Sequence, residues 1–307
     1  MANNNSLVGG KSLMQRVNYQ VILVQVFVAL FLCINFLLIT TFFMKDFFYT
    51  AMRYILFANT LLSDCLILII TNILLIFSYF RVNMQMWLCL ILYILSFLYT
   101  LVTPFTLMAM TLERYVAICM PLRHGELCST RSSLHCILII HGLSSVPCII
   151  VLSTFFASAS LSFYKQYRVC AVELFIFHSW QSHLKSAINQ LYFLIMFITI
   201  VFSYVKIMTV AKAASGENKK STWKGLRTII LHAFQLLLCL IQLWCPFIEN
   251  AVLQIDFMLY NNVRYFNYIT FYLAPRCLSP LIYGLRDEKF FLALKYYALC
   301  GLYRKFF

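Results

Sequence analysis

An acidic and a basic residue stand side by side at the edge of a long apolar stretch. Glu113 and Arg114 follow residues 87–110, which carry no charge. Adjacent opposite charges at such an edge indicate a switch, because the arginine can pair with the glutamate in one state and release it in another. An ordinary cluster of charges at a membrane surface would have the same sequence. The pair alone therefore leaves both interpretations open.

Two further charges, Asp64 and Arg276, interrupt apolar stretches. An unpaired charge at mid-membrane costs about 2.5–3.5 kcal/mol on insertion scales, so such charges usually pair or line a wet cavity. Asp64 is 10 residues from Tyr54, the inner end of its apolar stretch, which is about 15 Å along a helix. Arg276 is 7 residues from Tyr283, the inner end of its own stretch, which is about 10 Å. The long arginine stem can cover the difference between these two depths. We therefore predict an Asp64–Arg276 ion pair inside a helix bundle.

The composition indicates an integral membrane protein rather than a soluble enzyme. The 307 residues are 63% hydrophobic and 11% charged, whereas soluble domains have roughly 45–50% apolar and about 25% charged residues. The sequence contains no HExxH motif, no Gly-rich phosphate loop and no arranged Ser/His/Asp set, so we expect no catalytic activity. None of the twelve cysteines forms a CxxC pair, so we expect neither a metal site nor a cofactor.

Seven stretches are apolar and long enough to cross a membrane, which takes about 20 residues. They cover residues about 21–43, 54–80, 87–110, 136–156, 186–210, 226–253 and 265–283. The predicted fold is all-α: an integral membrane seven-transmembrane helix bundle. The polar residues 1–20 contain no apolar core of the kind that a cleaved signal peptide needs, so the first span is expected to remain in the mature protein.

Residues 284–307 follow the last span and have a different pattern. Phe290, Phe291 and Leu294 recur at helical spacing between lysines, which predicts a short C-terminal amphipathic helix on the membrane surface. Cys300 near its end is either a palmitoylation site or an ordinary membrane-facing thiol.

The distribution of lysine and arginine predicts the orientation. Sixteen of these residues fall on one side of the predicted spans and seven on the other. Because the cytoplasmic side is richer in positive charge, the N-terminus is expected outside and the C-terminus in the cytoplasm, as in a multi-pass plasma-membrane protein. The formal charge of +14 then faces anionic lipid and a cytoplasmic partner, and no nucleic-acid partner is needed. Asn4 begins a glycosylation sequon on the outer side.

Short motifs across the chain resemble those of one receptor family. Glu113-Arg114-Tyr115 is followed by Val-Ala-Ile-Cys and then Pro-Leu-Arg-His. The other matching positions are Asn35, Leu62-Ser63-Asp64, Ser203-Tyr204, Trp244-Cys245-Pro246, Ser279-Pro280-Leu281-Ile282-Tyr283 and Gly284-Leu285-Arg286-Asp287. Together they resemble the rhodopsin-like (class A) G-protein-coupled receptors, and most of all the fish-type odorant receptors. The chain departs from the family in lacking the fourth-helix Trp and the fifth-helix Pro, and in placing Pro104 inside the third span.

The resemblance implies a function and a set of switch residues. A small extracellular odorant would bind within the bundle, and the cytoplasmic face would activate a stimulatory heterotrimeric G protein, which raises cAMP. The residues assigned to coupling and switching are Glu113, Arg114, Tyr115, Tyr204 and Tyr283.

A disulfide at the outer side is also implied. Cys89 and Cys170 are the two cysteines on the predicted outer side, which is oxidising. The family ties the start of its third helix to the following outer loop, and Cys89 lies 25 positions before Arg114, the spacing that the family has. We therefore expect a single Cys89–Cys170 bridge.

The expected ligand pocket lies in the outer halves of the third, fifth, sixth and seventh spans. Its candidate residues are Tyr93, Ser96, Phe97, Thr100, Tyr192, Trp244, Phe247, Ile248, Ala251, Tyr268 and Tyr272. For each of them, helix–helix packing is an equally good interpretation. Such a pocket is mostly apolar with a few hydroxyls, which suits small neutral or weakly polar ligands. Glu249 would favour a basic ligand if it faced inward.

Three alternatives stay open. The chain could be a non-olfactory rhodopsin-like receptor for another small ligand. It could be a transporter or channel, although it has no repeated halves, which many transporters show. In the family, the acid at the position of Asp64 commonly helps to hold sodium. Asp64 could therefore keep a hydrated sodium ion while Arg276 bonds backbone carbonyls freed by Pro275 and Pro280.

Overall fold

The computed structural model describes residues 2–214, 219–279 and 288–298, and they form a bundle of helices. Side chains are described for these residues except 2–17, 161, 172, 173, 212, 214, 219–229, 288, 289 and 296–298. The long helices are α1 Ala2–Phe43, α2 Met52–Tyr79, α3 Met86–Cys119, α5 Thr130–Ser158, α7 Ser179–Ala214 and α8 Lys219–Ile241. The shorter ones are α4 Pro121–Leu127, α6 Leu161–Tyr164, α9 Cys245–Leu253, α10 Phe257–Asn267, α11 Ala274–Ser279 and α12 Glu288–Ala298. The all-α fold predicted from composition is confirmed.

Membrane-spanning length and apolarity are found in five of the six long helices. Within the described residues, five single helices qualify, and a sixth span forms if Ile230–Ile241 and Cys245–Leu253 are taken together. The last helix consists of α10, a π-helical stretch Tyr268–Leu273 and α11. Within the described residues, it is not among the helices that pass the same test.

The helices extend beyond the predicted spans because a charge does not end a helix. Backbone hydrogen bonds continue past the apolar residues as long as no residue breaks the pattern. Glu113 and Arg114 thus lie inside α3, which ends at Cys119, and not at its end. Lys185 likewise lies inside α7, although the predicted fifth span began at residue 186.

Pro246 accounts for the break in the sixth span. A proline has no N–H for the carbonyl four residues earlier, and its ring clashes with that carbonyl. The partner that Pro246 would need is Gln242, where α8 has ended. Pro246 becomes the second residue of α9, and the two segments are bent by 41°. Trp244 lies in the break between them.

The bundle buries one group of apolar residues and presents another outward. Leu61, Leu101, Leu107 and Leu236 are almost fully buried at the centre. Large apolar side chains on the outer surface, such as Ile139, are exposed. An apolar exterior on long helices is what a lipid environment requires, so the chain is described below as a multi-pass membrane protein.

Helix α12 packs against the bundle through one face. Phe290 is buried and contacts Phe48, with ring centroids 5.0 Å apart, and Phe57, at 5.5 Å. Leu294, one turn later, is also buried, whereas Phe291 is exposed. The predicted amphipathic helix therefore uses Phe290 and Leu294 for contact with protein, a partner that sequence alone does not reveal. Cys300 lies outside the described residues.

Candidate functional site

One end of the bundle is tied together by a disulfide. Cys89 in the first turn of α3 is bonded to Cys170, with Cα atoms 5.5 Å apart, as predicted. The strand β1 Asn83–Gln85 pairs antiparallel with β2 Tyr167–Val169 just beside it. This end of the molecule, where α3 and α7 begin, is called the disulfide end below. The crosslink holds the loop between α5 and α7 over the start of α3.

Removing the disulfide is expected to lower the amount of folded protein strongly. Cys89→Ser and Cys170→Ser should each reduce the amount of the protein at the cell surface, because a lost native disulfide typically costs about 2–5 kcal/mol. The double variant should be no worse than either single variant, since all three lose the same bond. Surface labelling and non-reducing peptide mapping measure this. Cys128→Ser, which removes a free cysteine, serves as the matched control. Additive losses would contradict the prediction.

The tethered loop lays an aromatic ring on α3. Phe175 stacks on Tyr93, with ring centroids 4.8 Å apart, and Tyr93 stacks on Phe97 at 6.1 Å. Lys185 of α7 reaches the same group, because its Nζ is 3.3 Å from the Tyr93 hydroxyl oxygen. Two predicted ligand residues, Tyr93 and Phe97, are thus brought together. Sequence analysis missed Lys185, which it placed in a polar link.

The other predicted ligand residues divide between packing and exposed positions. Tyr192 packs edge-on to Phe105 at 5.6 Å and donates to the carbonyl of Leu143 at 3.0 Å, so it serves the junction of α3, α5 and α7. Trp244 packs against Phe193 at 5.6 Å. Five further members of the set are half-buried or exposed: Ser96, Thr100, Phe247, Ile248 and Ala251. Whether they form a single pocket stays a prediction.

Glu249 is bonded to the last helix. Its Oε1 accepts a hydrogen bond from Asn267 Nδ2 at 3.0 Å, and Asn267 is buried. Glu249 therefore links α9 to α10 through this hydrogen bond, so it stabilises the packing of these two helices.

Asp64 and Arg276 meet in the middle of the bundle. Arg276 Nε lies 3.6 Å from Asp64 Oδ1, and the two side chains are 1% and 0% exposed. At that separation the contact is an ion pair without a direct hydrogen bond through Nε, which has no hydrogen-bond acceptor. Thr103 of α3 donates to Asp64 Oδ1 at 2.8 Å. The pair therefore connects α2, α3 and α11 at full burial.

Arg276 also contacts the sixth and seventh spans. It donates to the backbone carbonyl of Tyr272, and its guanidinium carbon lies 3.9 Å from the Tyr272 ring centroid. Tyr272 in turn stacks on Tyr268 at 5.1 Å. Arg276 Nη1 lies 3.5 Å from Gln242 Oε1, at the break before Trp244. Arg276 thus bonds the backbone carbonyl of Tyr272, which neither Pro275 nor Pro280 frees, and it faces Asp64 as well.

A buried glutamine adds a second link between the same spans. Gln235 of α8 donates to the carbonyl of Pro275 at 3.0 Å and to Ser279 Oγ at 2.5 Å. Sequence analysis missed Gln235 and Gln242, because an uncharged amide in an apolar stretch gives no signal as strong as a charge.

A polar cluster lies near Arg114 at the opposite end of α3. Tyr204 Oη of α7 is 2.7 Å from His232 Nδ1 of α8, and Thr111 Oγ1 is 3.3 Å from the same nitrogen. His232 is fully buried. The charge of Arg114 is close enough to act on both Tyr204 and His232. The cluster therefore joins the third, fifth and sixth spans, and His232 is a member that sequence analysis missed.

The neighbours of Arg114 have separate contacts. Glu113 Oε1 lies 3.3 Å from His124 Nε2 of α4, a partner that sequence analysis did not foresee. The ring of Tyr115 lies 6.2 Å from that of Phe202. Tyr283, the remaining predicted switch residue, lies outside the described residues. Asn4 lies in the first turns of α1, and its side chain is outside the described part.

Comparison with known proteins relates the chain to membrane receptors. A family model described as 7 transmembrane receptor (rhodopsin family) matches residues 34–283. The chain is similar to Odorant receptor 131-2 of Danio rerio, at 41% identity over 300 residues, which are 98% of this chain and 92% of that protein. It is also similar to Galanin receptor 2a of Danio rerio, at 28% identity over 61% of this chain and 51% of that receptor. Olfactory receptor 52A5 of Homo sapiens is 27% identical over 60% of this chain and 58% of its own length.

Proposed function

The chain belongs to the rhodopsin family of seven-transmembrane receptors, and we propose that it is an odorant receptor. The observation that carries the proposal is its similarity to a zebrafish odorant receptor over nearly the whole of both chains. The galanin receptors match only about half of their own length and at lower identity. A small odorant would bind in the bundle, and a heterotrimeric G protein of the stimulatory type would bind the Arg114 end.

We propose that the receptor lies in the plasma membrane with the disulfide end outside. The excess of lysine and arginine at the other end supports this orientation, and so does the disulfide, because disulfides persist in oxidising compartments. Glycosylation of Asn4 would follow from the same orientation.

The proposed signal passes through the break in the sixth span. A ligand near Trp244 and Tyr272 would alter the contact between Arg276 and Gln242, which lies at the break. Because α8 and α9 meet there at an angle, a small change at the break becomes a larger displacement at the far end of α8. His232 and Tyr204 would then separate, and Arg114 would be released to engage the G protein. Such coupling needs only that the ligand bind one packing better than the other.

A cAMP assay in cells that express the chain tests the function. Cells are exposed to a broad panel of water-soluble odorants, and we expect at least one class to raise cAMP in a concentration-dependent manner. Cells with an equal surface amount of the Arg114→Ala variant are the control. An ionic current or substrate uptake that needs no G protein would instead favour the transporter or channel alternative.

A further inference from the structure

The ammonium group of Lys185 lies in an aromatic cradle at the disulfide end. Its Nζ is 5.5 Å from the ring centroid of Tyr93 and 5.3 Å from that of Phe97. The Tyr93 hydroxyl lies 3.3 Å from the same nitrogen. The loop residue Phe175, held near by the disulfide, stacks on Tyr93. A partly buried cation of α7 is thus held against two rings of α3, and the loop residue Phe175 stacks on one of those rings.

This cation has no acidic partner in the described part of the chain. An ammonium group has three N–H donors and a full charge, and aromatic faces attract that charge without neutralising it. Among the side chains that the structure describes, no carboxylate lies within 4.0 Å of Lys185 Nζ. Glu249, an acid of the same half of the bundle, accepts its hydrogen bond from Asn267. Among the described side chains, the ammonium group therefore keeps a full positive charge that no carboxylate offsets.

A second polar side chain lies beside Lys185. Asn189 follows it by one turn of α7, so the two share a face of the helix. Asn189 is only 7% exposed, and its side-chain amide is not among the fully buried polar groups that lack a hydrogen-bond partner in the described residues. The amide carries two N–H donors, and a ligand with hydrogen-bond acceptors would accept from them.

We propose that this site binds the anionic group of a small organic acid. The carboxylate would accept hydrogen bonds from Lys185 and Asn189, and the rings of Phe97 and Phe175 would hold the apolar part of the molecule. The proposal rests on the proposed odorant-receptor function and deepens it by naming the ligand class. It replaces the expectation of a neutral or basic ligand.

Matched pairs of acids and neutral analogues test the proposal in cells that express the full chain. The probes are hexanoate, octanoate and phenylacetate, each beside its primary amide and methyl ester. We expect the carboxylates to raise cAMP at concentrations at least about tenfold lower than their neutral analogues, because charge-assisted hydrogen bonds are the stronger ones. Lys185→Met should raise the EC50 of the carboxylates about tenfold or more and leave that of the amides nearly unchanged.

Two variants separate direct binding from a general effect of charge. Lys165→Met removes the same charge from an exposed position of the loop between α5 and α7, and it should leave the ratio of EC50 values unchanged. Lys185→Arg keeps the charge and should retain most of the preference for acids. If Lys165→Met weakened the carboxylates as much as Lys185→Met, the effect would be electrostatic attraction to the surface, and the site would be refuted.

The outcomes distinguish this proposal from the function on which it rests. If neutral odorants activated the receptor while carboxylates did not, the acid site would be wrong and the odorant-receptor function would stand. A loss of surface receptor in Lys185→Met together with normal acid preference in Lys185→Gln would also overturn it. If a receptor at the cell surface answered no odorant of either class, both proposals would fall.

Discussion

Replacing Arg276 by glutamine is expected to destabilise the folded receptor by about 3–5 kcal/mol, because Asp64 then stays buried without its cation. Asp64→Asn should have a similar cost, since it leaves the Arg276 guanidinium buried beside a neutral amide. The basis is the 3.6 Å contact at almost complete burial. Thermal unfolding of the detergent-solubilised receptor and the amount of receptor at the cell surface measure the loss.

The double variant decides whether the two residues act as a pair. Asp64→Asn with Arg276→Gln removes both charges and should recover part of the stability that each single variant loses. Thr103→Val is the matched control: it removes the hydrogen bond to Asp64 but no charge, and should cost about 1.5–3 kcal/mol, the range for a hydrogen bond to a charged group. Additive losses in the double variant would show that the pair does not exist in the working receptor.

The sodium alternative makes the opposite prediction for salt. With the guanidinium in the place of an ion, ligand affinity should be the same in sodium and in potassium or N-methylglucamine buffers of equal ionic strength. Asp64 Oδ2 has no hydrogen-bond partner in the described residues. Because that oxygen is the atom a sodium ion would bind, the salt dependence discriminates between the two alternatives. A ligand affinity that depends on sodium in the native protein would favour the ion over the pair.

Arg114→Ala is expected to reach the cell surface, bind ligand and fail to activate a G protein. The loss should be on the order of 5–150-fold, the usual range of coupling between distant sites. The reason is its position beside the contact between Tyr204 and His232, which joins α7 to α8. Removing the guanidinium removes the group that we propose engages the G protein when that contact opens.

Surface labelling and a G-protein activation assay in the same cells measure this effect. Arg123→Ala is the matched control, because Arg123 is an exposed arginine on the neighbouring α4 and its loss should change signalling little. Normal activation by Arg114→Ala at equal surface amounts would mean that the residue only anchors α3 at the headgroups.

Charges and cysteines were the parts of the site that sequence could predict. A charge inside an apolar span has few acceptable surroundings, so Asp64 and Arg276 could be matched to one another before any coordinates were known. The cysteines could be assigned by compartment. In both cases a different partner would cost much free energy, so few arrangements of these side chains remain acceptable.

Polar residues whose surroundings depend on tertiary packing could not be predicted. His232 and Gln235 lie in an apolar stretch, where a lone histidine or amide has many acceptable partners. Lys185 was assigned to a link because the span was counted from its apolar residues. In fact α7 begins earlier, at Ser179, and the disulfide brings Phe175 and Tyr93 to the lysine. The direction of a pocket side chain could not be predicted for the same reason. Tyr192 lies at the expected depth in its span, but its hydroxyl bonds α5.

The most direct test of the account is nucleotide exchange with purified components. The receptor in lipid nanodiscs is mixed with a stimulatory heterotrimeric G protein, and GTP-analogue binding is followed with and without the odorant that is active in cells. We predict that the odorant accelerates exchange several-fold with the native receptor and that it does not accelerate exchange with Arg114→Ala. Exchange that no active odorant accelerates, or that is equally fast with Arg114→Ala, would contradict it.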